Sequence, residues 1–160
     1  VGSVAPPFNL PDVSGKFYSL DDFKEAKVLV MIFTCNHCPY VHHIIDKVVE
    51  IAAKYKQREV GFAAISANDA TVSPQDGPEE MKAFANVHNF PFPYLYDQTQ
   101  QVARTYKAAS TPEFFVFDAE FKLVYHGQFD NSRHPLHIIL ASGRGVNIIC
   151  HNIFLYASRN

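Results

Sequence analysis

The sequence predicts an α/β fold: a central mixed β-sheet flanked by helices, with an extended N-terminal arm or hairpin in front of it. Three observations predict it. Val28-Leu29-Val30-Met31-Ile32-Phe33 is apolar on both faces and rich in β-formers, the pattern of a buried central strand. A helix-spaced series follows it: Val41, Ile44, Ile45, Val48, Ile51, Ala52 and Tyr55. Late in the chain, Phe114-Phe115-Val116-Phe117 and Phe121-Lys122-Leu123-Val124-Tyr125 lie close enough to be joined as a hairpin. Alternation that ends in a hairpin implies parallel and antiparallel pairs in one sheet, with helices on both faces.

Each element follows in turn. Ala5-Pro6-Pro7-Phe8-Asn9-Leu10-Pro11 reads as an extended arm, because proline biases the residue before it away from helix. Gly15 turns the chain into a short strand near residues 17–19. After the central strand, Pro39 suits the first turn of a helix. A second strand fits residues 60–66. Residues 67–77 form a polar loop with turn signals at Asn68-Asp69 and Asp76-Gly77. The segment 68–77 reads either as a substrate-selecting loop or as a solvated insertion. A short helix follows Pro78, and another covers about residues 99–108 through Val102, Ala103 and Tyr106. Phe90, Phe92, Tyr94 and Tyr96 are expected to pack at the edge of the sheet.

Length and composition fit one globular domain. The chain has 160 residues, 48% of them hydrophobic and 19% charged, with a formal net charge of -2. Acids and bases are mixed, so nothing marks a nucleic-acid surface. The apolar run at residues 28–33 is too short to cross a bilayer. No charged-then-apolar leader opens the chain at Val1, and a cytoplasmic setting is expected. Neither a nucleic-acid nor a membrane partner is expected.

Three cysteines are too few for a secreted disulfide framework. Cys35-Asn36-His37-Cys38 instead places two thiols where a buried strand gives way to a helix. Free backbone N–H groups and the positive end of the helix dipole favour a thiolate there. The expectation is therefore that Cys35 attacks, that a more buried Cys38 resolves, and that His37 tunes the pair. A protonated His37 would favour the reduced state and make the disulfide more oxidising. A zinc reading stands beside this one, since Cys35, His37, Cys38 and His42 offer four nominal ligands. Structural zinc usually draws a second ligand pair from a distant segment, and the sequence holds no second CxxC and no HxxxH. The redox reading is preferred, with no cofactor or metal expected; His42 and His43 read as solvated helix residues.

With these pieces in place, the chain resembles the thioredoxin superfamily, and within it the peroxiredoxin-like (alkyl hydroperoxide reductase/thiol-specific antioxidant, redoxin) proteins that carry a thioredoxin-type CxxC. Four blocks carry the likeness. They are Ala5-Pro6-Pro7-Phe8-Asn9-Leu10-Pro11-Asp12, Cys35-Asn36-His37-Cys38-Pro39-Tyr40, Phe90-Pro91-Phe92-Pro93-Tyr94-Leu95-Tyr96-Asp97 and Thr111-Pro112-Glu113-Phe114-Phe115-Val116-Phe117-Asp118. The resemblance implies a thioredoxin-like fold, redox-active Cys35 and Cys38, and a cis Pro112 facing them with Thr111 offering backbone to a partner chain. It implies a thiol–disulfide oxidoreductase in antioxidant or redox homeostasis. Its partners would be protein or small-molecule disulfides, with peroxides as a further substrate class and a thioredoxin-type system as reductant.

The same resemblance supplies a rival. Peroxiredoxins use a Thr-x-x-Cys element, and Cys38-Pro39 matches its cysteine, so Cys38 becomes the peroxide-reactive residue. Cys35 then takes the place of the threonine, and Arg104 and Arg133 are the candidates for the arginine that peroxide chemistry wants. The likeness ends near Arg133. Residues 1–133 are read as the redoxin domain and residues 134–160 as a divergent tail of uncertain structure. Cys150 within it is read as an ordinary buried thiol.

Overall fold

A computed structural model describes residues 2–129. The arm, the sheet and its helices all lie inside that span. Arg133, Cys150 and the tail lie outside it.

β1 (Asn9–Pro11) and β2 (Phe17–Ser19) form an antiparallel hairpin. Asp12 organises its turn, its Oδ1 accepting from the Ser14 amide and hydroxyl and from the Lys16 amide. The main sheet contains β3 (Val28–Phe33), β4 (Val60–Ser66), β5 (Tyr94–Tyr96), β6 (Glu113–Phe117) and β7 (Leu123–Gly127), in the order β5-β4-β3-β6-β7. β3 pairs parallel to β4 and antiparallel to β6, so the sheet is mixed as expected. Among the described residues the α-helices are α1 (Pro39–Tyr55), α2 (Pro78–Val87) and α3 (Gln101–Tyr106).

All six residues of β3 are buried because both faces of the sheet are covered. Val28, Val30 and Ile32 join Val41, Ile45, Val48, Ala52 and Tyr55 of α1. Leu29, Met31 and Phe33 face the other way, onto Phe8 and Leu10 of the arm, Phe23, and Tyr106 of α3. Alternate strand residues point to opposite faces, so one apolar run feeds two cores. The arm is thus a packing layer, tied by the Tyr106 hydroxyl donating to the Pro6 carbonyl at 2.6 Å.

Three boundaries differ from the sequence reading. β5 was not expected as a strand, because three residues between Pro93 and Asp97 are too few to show a period. The four aromatics nevertheless pack as predicted: Phe92 and Tyr94 are buried, and Phe90 and Tyr96 lie partly buried against the same core. α3 is shorter than residues 99–108, since Gln100 and Lys107 at its two ends are both left-handed (φ 63° and 59°). β7 begins at Leu123 rather than Phe121. Phe121 is itself left-handed (φ 58°), and Asp118 closes the turn by accepting from the Glu120 and Lys122 amides. Among the described residues, no helix is long and apolar enough to cross a membrane.

Candidate active site

The site forms where β3 ends. Thr34 continues from the strand, its amide donating to the Ile65 carbonyl of β4 at 2.8 Å. The chain then bends through Cys35, Asn36 and His37 before α1 starts at Pro39 with Cys38 as its N-cap. Pro39 takes the first helical position, as expected. Between strand and helix, the Asn36 and His37 amides donate to the Asp76 carboxylate at 2.7 and 3.3 Å.

Asp76 is the residue that sequence reasoning missed. It has no exposed surface, and its carboxylate also accepts from the Asn68 side-chain amide at 2.8 Å and from His37 Nδ1–H. Asn36 is braced in turn. Its side chain donates to the Gln75 carbonyl at 2.9 Å and accepts from the buried Tyr94 hydroxyl at 2.8 Å. The loop 68–77 is solvated over Thr71, Val72, Pro74 and Gln75, yet its buried end delivers the carboxylate that meets the cysteine turn. The available signal was Asp76-Gly77 just before a helix, which reads equally well as a turn.

Cys35, His37 and Asp76 lie with their donor atoms within 4.8 Å of one another. This differs from the zinc set weighed above, which took Cys38 and His42 with Cys35 and His37. Asp76 already accepts four N–H groups, so the geometry is that of a hydrogen-bonded cluster. His42 is exposed at its rim but is not simply solvated, since its Nε2–H donates to the Asn36 carbonyl at 2.5 Å.

Thr111 faces both sulfurs. The Thr111–Pro112 peptide is cis, as the resemblance implied. The Thr111 hydroxyl lies 3.4 Å from Cys35 Sγ, and the Cys38 thiol donates to the Thr111 carbonyl at 3.5 Å. The two cysteines are free thiols. Their burial reverses the expectation: Cys35 is 1% exposed, whereas Cys38 is half-buried. Burial pushes the Cys35 thiol above its ordinary value of 9.0. Hydrogen bonds from the Thr111 hydroxyl and the Cys38 amide work against that rise, and the negative charge of Asp76 adds to it. Exposure thus favours Cys38, while the aimed donors favour a thiolate at Cys35.

A cavity of about 420 Å³ opens beside Thr111, with Thr34, Asn68, Arg104 and Ser110 in its wall. Arg104 commits its guanidinium to the Thr99 carbonyl at 3.1 Å and the Gln100 side chain at 3.4 Å. Neither partner is a cysteine.

The sequence model of the AhpC/TSA family matches residues 1–126, nearly the whole described span. The chain belongs to the AhpC/TSA family. Among curated members, the thiol-disulfide oxidoreductase ResA of Bacillus anthracis is 27% identical over 124 residues, covering 78% of this chain and 67% of that protein. The chloroplastic peroxiredoxin Q of Sedum lineare is 28% identical over 142 residues, covering 83% and 72%. Among solved structures, an uncharacterized conserved protein from Geobacillus kaustophilus superposes with a TM-score of 0.82 at 42% identity, covering 96% of this chain and 81% of that one. A putative thiol:disulfide interchange protein DsbE from Chlorobium tepidum gives 0.66 at 22%, covering 79% and 83%, a likeness of fold. This AhpC/TSA domain has the thioredoxin-like architecture expected from the sequence.

Proposed function

We propose that this AhpC/TSA protein is a thiol–disulfide oxidoreductase that cycles Cys35 and Cys38 between dithiol and disulfide. The observation that carries the reading is the convergence of both sulfurs on one residue, Thr111, at the end of the central strand. Burial holds the Cys35 thiol above its ordinary value; once deprotonated, its thiolate accepts from the Thr111 hydroxyl and the Cys38 amide and attacks a sulfur of the partner disulfide. One partner sulfur leaves as a thiol, and a mixed disulfide forms. Cys38, deprotonated, then attacks the Cys35 sulfur and releases the second partner thiol. Two electrons have passed to the partner, and Cys35 and Cys38 are left joined until a dithiol reductant, such as a thioredoxin-type system, restores them.

His37 tunes the pair. Its Nδ1–H is committed to Asp76, which fixes the tautomer and holds the ring beside the Cys35–Asp76 cluster. Thr111 and Pro112 form the wall against which the partner chain lies, next to the 420 Å³ cavity. The partners are protein or small-molecule disulfides.

A second reading, peroxide reduction through Cys38, has one observation in its favour: Cys38 is the more exposed of the two cysteines. Against it, Arg104 is bound to Thr99 and Gln100. Trapping separates the two. Cys38→Ser is expected to accumulate mixed disulfides through Cys35, while Cys35→Ser traps none and neither variant consumes peroxide rapidly. Fast peroxide consumption that survives Cys35→Ser and is lost in Cys38→Ser would hand the site to the peroxidase reading.

A further inference from the structure

Glu113 is a buried carboxylate that the exchange chemistry does not use. It opens β6, opposite Phe33 of β3, and is 7% exposed. Burying a charged group is costly unless hydrogen bonds meet it, and here they come from two sides. Oε2 accepts from the Ala109 amide at 2.7 Å and the Ser110 amide at 3.2 Å. Oε1 accepts from His126 Nε2–H at 2.5 Å. His126 stands on the neighbouring strand β7, with its ring stacked on Phe115 at 4.2 Å between centroids and 17° between planes. The carboxylate is thus anchored to the sheet on one side and grips the loop 109–111 on the other.

That loop ends in Thr111, whose hydroxyl and carbonyl meet the two sulfurs. We infer that Glu113, held by His126, is a positioning residue for the cysteine pair: it fixes the loop 109–111 so that Thr111 reaches Cys35 and Cys38 together. The inference rests on the exchange reading for its purpose, although the geometry it describes does not depend on it. Glu113 acts through Thr111 and touches neither sulfur. What it controls is the hydroxyl that donates to Cys35, a contact that favours the thiolate.

The test is the pH profile of alkylation at Cys35, read residue by residue by mass spectrometry on the reduced full chain. Glu113→Ala frees both amides. It is expected to move the Cys35 midpoint upward by about half a unit to one unit, a roughly 3- to 10-fold loss of thiolate at fixed pH. Glu113→Gln keeps one oxygen for the two amides and is expected to restore the wild-type midpoint. A purely structural role would lower the thermal midpoint and leave the alkylation midpoint where it was. A folded Glu113→Ala protein with the wild-type Cys35 profile overturns the inference. If that variant does not fold, His126→Phe takes its place, keeping the stack on Phe115 while losing the nitrogen. It is expected to move the Cys35 midpoint in the same direction, and no movement overturns the inference equally. Disulfide exchange by the wild-type protein is measured alongside. Its absence would sink the proposed function while leaving the alkylation comparison intact.

Discussion

A carboxylate with no exposed surface is stable at position 76 because four N–H groups reach it, from Asn36, from His37 twice and from Asn68. Removing it leaves those donors unmet. Asp76→Ala is therefore expected to cost about 3 kcal/mol, read from chemical denaturation. Asp76→Asn isolates the charge instead. The negative charge of Asp76 helps hold the Cys35 thiol above its ordinary value, so neutralising it lowers the Cys35 alkylation midpoint. A midpoint that rises in Asp76→Asn contradicts this account of the site. The same carboxylate shows where reading the sequence ran out. Cys35, His37 and Cys38 were picked out by a local pattern, a CxxC where a strand gives way to a helix, whereas Thr111 and the cis Pro112 came only from the family resemblance, because a Thr-Pro before a strand reads as an ordinary trans bond. Asp76 was legible by neither route, since its partners Asn36 and His37 lie 40 and 39 residues away. Nothing near it in the sequence marks it as buried. Burial also reversed the ranking of the two sulfurs, because it is set by how the turn folds against Asp76 and Thr111.

Among the elements, β3 was the most legible, because an apolar run on both faces predicts a strand covered on both sides. What covers it was only half legible. The helical spacing of α1 declares its apolar face, whereas the arm declares little beyond its prolines. Yet Leu10 and Ile45 are 7% and 4% exposed, and they sit in opposite core layers. Leu10→Ala and Ile45→Ala are each expected to cost about 2–5 kcal/mol, and the double variant the sum within about 0.5 kcal/mol. Denaturant unfolding monitored by circular dichroism measures both. A loss under about 1 kcal/mol for Leu10→Ala would make the arm a loose strap rather than a core layer.

At the scale of the whole molecule, three buried acids couple stability to alkaline pH. Burial pushes Cys35 above 9.0, and Tyr94 and Tyr106 above 10.0. The unfolded chain loses these protons first as pH rises. The stabilisation is therefore complete below the ordinary values and drains away above them. Stability is expected to decline steadily above about pH 9. Tyr106→Phe should flatten that limb, at a cost of about 1 kcal/mol at neutral pH for the lost bond to Pro6. An alkaline limb that is equally steep in Tyr106→Phe and in wild type removes Tyr106 from the explanation.

Redox cycling of the pair is the claim on which the rest depends, and a thiol count with assignment by mass spectrometry tests it most directly. The chain has three cysteines. Mild oxidation with a small-molecule disulfide is expected to lower the free-thiol count from three to one, with Cys35 and Cys38 recovered as one linked peptide pair and a dithiol restoring all three. A count that stays at three, or a linkage that joins Cys150 instead, would contradict it.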